Sequence, residues 1–251
     1  MKSLDGFDRI LGIVVSTCDE DKQHFARFLA EMTRLSLPFA VNLDHCCEET
    51  EELFLGHDLC IGGYRDHDPE SFFEESHRQR ALEILLRGGF QWMLQMDVDE
   101  TLEKEALRKL REATHFGADI VGARVLDLWG DNTDLSALTY RVDGPFNGSR
   151  REKLFSLTSD PNIHYYHPTI HAPKVCPVVR SVVVNMSDLR VLHWGIMNRE
   201  DAEFHCKRWD AIYTRYVGGN PYGLYPYLRD NSVVPTLRGF NYDTGEEYDY
   251  K

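Results

Sequence analysis

The segment Phe90-Gln-Trp-Met-Leu-Gln-Met-Asp97-Val-Asp99-Glu100 passes from an apolar run into three acids, two of them spaced i, i+2. The apolar part is short and follows Gly88-Gly89, the pattern of a buried β-strand. Side chains alternate along a strand, so Asp97 and Asp99 are expected to leave it on the same side. Adjacent carboxylates repel, and each then tends to hold a proton. A divalent cation removes that cost, and hard oxygen ligands suit Mg²⁺ or Mn²⁺, often shared with a phosphate. The chemistry indicated is a metal–diphosphate site at the carboxyl end of a strand. The alternative is that the acids merely open the next helix, with Thr101 as its N-cap.

The flanking chain supplies elements that can place such a site. Residues 10–16 read as a buried first strand, followed by the loop Thr17-Cys18-Asp19-Glu20. Residues 24–35 carry Phe25, Phe28, Leu29, Met32 and Leu35 at helical spacing. Residues 38–44 form a second strand that ends in Asp44, and residues 59–61, closed by Gly62-Gly63, a short third one. Ser71-Phe-Phe-Glu74 fits a capping box that opens a helix running to about Arg87, where Gly88-Gly89 stop it. After the acidic segment, residues 102–113 predict a helix and residues 118–128 a strand. This alternation predicts an α/β fold with a mostly parallel sheet and helices on both faces. Ligands of such sheets bind outside the carboxyl ends of the strands, where the loops with Thr17/Asp19, Asp44 and Asp97/Asp99 are all expected.

Residues 129–177 look irregular and are rich in Asp, Asn, Pro and His, and long irregular segments in compact domains are usually functional or disordered. Two strands are expected at residues 180–185 and 189–193. Asn198 should then cap a helix through Tyr216, with Ala202, His205, Trp209, Ile212 and Tyr216 on one face. There is no internal repeat or low-complexity linker, so one domain over residues 1–251 is expected, ending in a polar tail at residues 246–251.

The chain has 251 residues, of which 42% are hydrophobic, enough for a proper core. No apolar run reaches the length of a membrane span, and the first residues do not read as a signal peptide. Six cysteines without a Cys-x-x-Cys pair read as reduced thiols. These points lead us to expect a soluble, cytoplasmic protein. Asn147-Gly-Ser and Asn185-Met-Ser match a glycosylation pattern that means little without a secretory signal. The net charge of −13 weighs against long nucleic acid and anionic membranes as partners. Against that trend stands the basic patch Arg150-Arg151-Glu152-Lys153, either a solvated loop or a phosphate contact.

The first strand with Thr17 and Asp19, the second ending in Asp44, and the helix feeding a strand that ends in Asp97-Val-Asp99 resemble inverting family-2-like glycosyltransferases of the GT-A fold. Residues 80–100, with an Arg before the acids and Trp92 and Asp99-Glu100 in place, are the closest match. Val191-Leu-His193-Trp-Gly195 and the later Arg215-Tyr216 look like the family too, so the resemblance covers roughly residues 8–216. It implies a nucleotide-binding half at about 8–128 and an acceptor-side half at about 129–235. It further implies that Thr17, Asp19 and Asp44 hold the nucleoside and that Arg80 approaches the diphosphate or the acidic motif. Asp97 and Asp99 would then hold Mn²⁺ or Mg²⁺ on the diphosphate, with His193 completing the coordination. The implied reaction moves a sugar from a nucleoside-diphosphate sugar, UDP-sugar first, to a hydroxyl of a glycan, a lipid-linked sugar, a protein or a modified nucleobase.

The sequence departs from the family at Ala81, where Asn is common, and at Ile170-His171-Ala172, where relatives often carry His-Glu with Glu as the base. An inverting transferase needs a base for the acceptor hydroxyl, and His171, Asp127, Asp131 and Glu152 are the candidates. Trp129, Tyr165 and Tyr166 are candidates to stack on the acceptor, or core residues. His164-x-x-His167-x-x-x-His171 has a zinc-like spacing that Pro168 disfavours. Two other classes stay open. Asp97-Val-Asp99-Glu-Thr101 also fits the first motif of a haloacid dehalogenase-type phosphatase, with Asp97 as nucleophile, although that motif usually lies on the first strand. A non-catalytic sugar-nucleotide binding protein is the third.

Overall fold

The computed structural model describes residues 10–66, 74–115, 117–143, 150–158, 162–166, 174–176, 182–217 and 234–250. The chain is mixed α/β, as its alternation predicts. Its largest sheet has eight strands in the order β3-β2-β1-β4-β8-β6-β11-β5. These are β1 (Leu11–Cys18), β2 (Phe39–Asp44), β3 (Cys60–Asp66), β4 (Trp92–Gln95), β5 (Glu100–Leu102), β6 (Ile120–Asp127), β8 (Arg150–Ser156) and β11 (Val183–His193). A further strand, β7 (Leu138–Arg141), forms a three-stranded sheet with β12 (Leu237–Phe240) and β13 (Glu247–Asp249), and β9 (His164–Tyr166) pairs with β10 (Lys174–Cys176). The helices are α1 (Lys22–Leu35), α2 (Glu48–Leu55), α3 (Glu74–Arg87), α4 (Ala106–His115) and α5 (Arg199–Val217).

The residues group into two compact units. The first holds residues 1–101, 107–122 and 152–186, and the second holds residues 102–106, 123–151 and 187–251. In the first, β3, β2, β1 and β4 are parallel neighbours, and β8 joins β4 antiparallel. Period-two alternation assigns the two faces. Gly12, Val14, Ala40 and Gly62 look toward α3, where Leu82, Ile84 and Leu85 pack. Phe39, Val41 and Gly63 look toward the opposite layer, where Phe25, Phe28 and Phe54 of α1 and α2 form an edge-to-face aromatic cluster. All five apolar positions foreseen on α1 are buried.

In the second unit, Leu126, Leu128, Leu138, Tyr140, Leu192, Trp194 and Phe240 make a separate core. Beside it, Glu247 binds Arg124 at 2.6 Å, the Tyr140 hydroxyl at 2.6 Å and Arg190 at 3.0 Å. Burial raises the Glu247 pKa, but these three donors outweigh it and hold the group at about 2. The same burial and the facing carboxylate push the Tyr140 phenol up to about 12. A carboxylate whose folded pKa is depressed contributes stability above its unfolded value, and loses it as pH falls through the folded one. Thermal melts should therefore show a wild-type decline between about pH 4.5 and 2 that is shallower in Glu247→Gln. Equal acid limbs would show that this hub carries no pH-linked stability.

Several expectations from sequence are corrected. The third strand does not stop at Gly62-Gly63 but runs through them to Asp66, with a bulge against β2 and Gly62 at φ 154°. Helix α2 was not foreseen, because its Glu-rich stretch shows little apolar periodicity. The helix expected from residue 102 begins at Ala106, since residues 100–102 form β5, so Thr101 is not an N-cap. The segment expected to be irregular contains β7, β8, β9 and β10. The two strands expected at 180–193 are one eleven-residue strand, β11. The polar tail expected at the end contributes β13 and the Glu247 hub. Ser71, at the head of the expected capping box, lies outside the described residues. Asn198 does cap α5, accepting the Asp201 N–H at 2.9 Å while Asp201 accepts that of Met197 at 3.1 Å. Cys18, Cys46, Cys47, Cys60 and Cys206 are free thiols. Among the described residues no helix is long and apolar enough to cross a membrane.

Candidate functional site

The carboxyl ends of β1, β2, β3 and β4 lie along one edge of the parallel sheet. Strand order runs outward from β1 through β2 to β3, then α3 carries the chain back to β4 on the other side of β1. Such a reversal opens a crevice between the loops after the two central strands. Here those loops begin at Asp19 and at Met96, directly after Thr17-Cys18 and Gln95 at the strand ends.

The acidic loop is built tightly. Strand β4 ends at Gln95, and Asp97-Val98-Asp99-Glu100 form a turn closed by a Glu100 N–H bond to the Asp97 carbonyl at 3.0 Å. Asp97 and Asp99 are half-buried, while Met96, Val98 and Glu100, which alternate with them, are buried, so the alternation continues past the strand. Glu100 is fully buried and does not belong to the open site. Its carboxylate accepts the Asp97 N–H at 3.0 Å and lies 2.7 and 2.5 Å from the Lys153 ammonium. Lys153 is only 2% exposed. It reaches Glu100 because β8 lies antiparallel beside β4, with Leu154 opposite Leu94. The basic patch is thus a strand start, whose Lys153 points inward while Arg150 and Arg151 are exposed.

Arg78 of α3 donates to Asp97 Oδ1 and is 4% exposed. Arg80 pairs instead with Asp66 at 2.6 Å and stacks over the Tyr64 ring at 3.9 Å. Residues i and i+2 of a helix leave about 200° apart, so only one of the two can face the acidic turn. At the ends of β2 and β3, Asp44 Oδ1 lies 2.5 Å from His45 Nδ1. Buried His77 sits 3.1 Å from Asp66 Oδ2 and 3.8 Å from Asp44 Oδ2. Thr17 is buried, and its hydroxyl has no hydrogen-bond partner among the described residues. Asp19 accepts the Thr50 hydroxyl at 2.7 Å and the Cys47 N–H at 3.0 Å, tying the β1 loop to the start of α2. Burial raises the Asp19 pKa, but these bonds bring it below the ordinary value.

In the second unit, His193 Nδ1 lies 2.8 Å from Asp127 Oδ1. Metal-binding histidines use this arrangement, one ring nitrogen held by a carboxylate. Asp127 is 6% exposed and serves there as a partner of His193. Asp131 is exposed and caps its own turn by accepting the Thr133 N–H at 3.2 Å. Glu152 is exposed at the start of β8. Tyr165, 2% exposed with its hydroxyl 3.2 Å from Gln95, is core and cannot stack on a substrate. Trp129 packs under Arg141, 4.8 Å from ring centre to guanidinium. His164 is exposed, while His167 and His171 lie outside the described residues, as do the side chains of Tyr166, Trp209, Ile212, Arg215 and Tyr216.

Among the described residues no group of three or more His, Cys, Asp or Glu side chains is clustered to hold a metal by protein ligands alone. Asp97 and Asp99 still fit a Mg²⁺ or Mn²⁺ ion of the kind bound by one or two carboxylates plus substrate phosphates.

No family profile and no curated protein matches the chain. Solved structures do. TarS residues 1–349 from S. aureus aligns at 13% identity over 86% of this chain and 67% of that one, with a TM-score of 0.49. Against the longer TarS structure, this chain spans 41% of the partner's length. The mannosyltransferase PcManGT from Pyrobaculum calidifontis, solved with GDP-Man and Mn²⁺, aligns at 11% identity over 87% of this chain and 68% of that one, with a TM-score of 0.48. HddC from Yersinia pseudotuberculosis aligns at 9% identity over 79% and 99%, with a TM-score of 0.45.

From sequence, Lys153 was read only as part of a basic patch, a solvated loop or a phosphate contact, and Arg78, His45 and His77 were not singled out. The signal for Lys153 was present, since it directly precedes the apolar Leu154-Phe155 of a strand. Arg78 and His77 carry no local mark, because the acids they touch are brought to them by other strands, and His45 is marked only by its neighbour Asp44.

Proposed function

We propose that this chain is a metal-dependent glycosyltransferase that moves a sugar from a nucleoside-diphosphate donor, UDP-sugar first, to a hydroxyl acceptor with inversion. The observation that carries the reading is the Asp97/Asp99 turn at the end of β4, beside the loop after β1, where the strand order reverses. Asp97 and Asp99 would hold Mn²⁺ or Mg²⁺ against the diphosphate oxygens. The ion would neutralise the charge that gathers on the departing diphosphate. Arg78, buried and bonded to Asp97, would hold that carboxylate in place. The acceptor oxygen bonds to the anomeric carbon as the carbon–phosphate-oxygen bond breaks, the diphosphate leaves with the electron pair, and a base takes the acceptor proton. Asp127 is occupied by His193, which leaves His171, Asp131 and Glu152 as candidates for that base.

Thermal stability against UDP, GDP and CDP, with and without Mn²⁺, tests the reading. A ligand at about a hundred times its Kd adds roughly 2.7 kcal/mol, or several degrees in Tm. Stabilisation by a nucleotide that requires Mn²⁺ is expected. No response to any nucleotide, with Mg²⁺-dependent hydrolysis of a phosphate ester, would replace the transferase with a phosphatase. Tight nucleotide binding with neither transfer nor donor hydrolysis would replace it with a binding protein.

A further inference from the structure

A cysteine and a lysine from different helices meet between α1 and α2. Lys22, the first residue of α1, donates from Nζ to Cys47 Sγ at 3.4 Å, and its ammonium lies 3.6 Å from Asp19 Oδ2. Asp19 Oδ2 also accepts the Cys47 N–H at 3.0 Å, which fixes the backbone under the sulfur. The Thr50 hydroxyl is 3.5 Å from the sulfur, but its one proton goes to Asp19 Oδ1 at 2.7 Å. The side chain that answers a negative charge on the sulfur is therefore Lys22. Of the other acids at the head of α2, Glu48 and Glu49 are exposed and Glu51 is turned to Arg65 at 3.0 Å. Both members of the pair shift as an ion pair requires. Hydrogen bonding to Thr50 first, and also to Lys22, brings the Cys47 thiol below its ordinary value against burial and Asp19. The thiol is in turn the leading cause that raises Lys22.

The neighbouring cysteines are built the opposite way. Cys46 is 5% exposed, with its sulfur 3.7 Å from the carbonyls of Thr17 and Asp44. Burial, and then the nearby acids led by Asp19, push its thiol up to about 12. Burial raises Cys60 as well. Cys47 is half-buried and Lys22 exposed, so a reagent can reach the pair. Thiol chemistry runs through the thiolate, which an adjacent lysine favours.

We infer that the Cys47–Lys22 pair is a nucleophilic thiol site that reacts with a peroxide and then with a small thiol such as glutathione, a chemistry separate from sugar transfer. The Cys47 sulfur attacks one peroxide oxygen and the O–O bond breaks. The sulfur is oxidised to a sulfenic acid, and the departing hydroxide takes a proton from solvent. The sulfur of the small thiol then bonds to Cys47, and the sulfenic hydroxyl leaves as water with the thiol's proton.

The test is alkylation of the native protein by limiting iodoacetamide across a pH series, with the rate at each cysteine read by peptide mass spectrometry. Wild type, Lys22→Met and Lys22→Arg are compared, and because Lys22 is exposed their melting temperatures should agree. At pH 7 Cys47 should react at least about tenfold faster than Cys18, Cys46 or Cys60, with a midpoint below the value of about 8.5 for a free thiol. Lys22→Met should raise that midpoint and slow the reaction, and Lys22→Arg should preserve it. Peroxide with glutathione should add one glutathione to wild type and none to Cys47→Ser, and dithiothreitol should remove it. Equal rates at the cysteines, or a Lys22→Met profile that matches wild type, would overturn the inference. A disulfide from Cys47 to another cysteine of the chain, formed in place of the glutathione adduct, would overturn the capping step. None of these readouts depends on a nucleotide, so they stand apart from the test of the transferase reading.

Discussion

Asp99→Ala should lower kcat/KM for transfer by roughly two to three orders of magnitude while the protein stays folded. Asp99 is half-buried at the tip of a turn whose closing bond runs between the backbones of Asp97 and Glu100. The loss of its side chain removes none of those contacts. On the proposed reading, what it removes is one of two hard oxygen donors that would hold the ion on the leaving diphosphate. The remaining carboxylate, Asp97, already faces the Arg78 guanidinium. A transfer assay across a Mn²⁺ series, with melting temperature as the control, decides the matter. Full activity in Asp99→Ala would mean that no metal site lies there, and a matching collapse in Tm would mean that the residue is structural.

Lys153→Met should cost about 3–5 kcal/mol of stability, because it strands the carboxylate of Glu100 in a place without water. For a chain of this size that corresponds to a fall of roughly 6–20 °C in Tm. Lys153 and Glu100 are 2% and 0% exposed, so neither charge has solvent to fall back on. The pair itself adds little net stability over an apolar substitute, since both charges were desolvated to form it. The double variant Glu100→Leu/Lys153→Met should accordingly recover much of the loss. It should not recover the turn, because Glu100 also accepts the Asp97 N–H. A single variant that melts within a degree or two of wild type would show that the carboxylate finds another partner.

The two experiments separate two kinds of acid in one short motif. From sequence, Asp97, Asp99 and Glu100 look alike, and nothing in their types says that the third is turned inward. The structure assigns Glu100 to the interior because β8 arrives antiparallel at β4 and brings Lys153 to it. No local rule foretells a strand inserted from fifty residues away, and that stretch reads as irregular because β7, β9 and β10 are only three or four residues long. The same reason explains Arg78. Helical spacing says that Arg78 and Arg80 leave on different sides, and only the placement of α3 across β1, β2 and β3 says which side meets Asp97.

What the sequence by itself determined was the set of elements with strong period: β1, α1, β2, α3, β4, β6 and the cap of α5. It also determined that their loops carry Thr17, Asp19, Asp44, Asp97 and Asp99 to one edge of a parallel sheet. These follow from apolar alternation, glycine stops and a capping Asn198, which act within a few residues of one another. Only the tertiary structure decided that Glu100 is buried, that Tyr165 is core, that the chain's end supplies the Glu247 hub, and that His45 rather than Asp44 is exposed at the end of β2. Each of those depends on which distant side chain supplies a counter-charge or takes the place of water, and that is settled by packing between segments far apart in the chain.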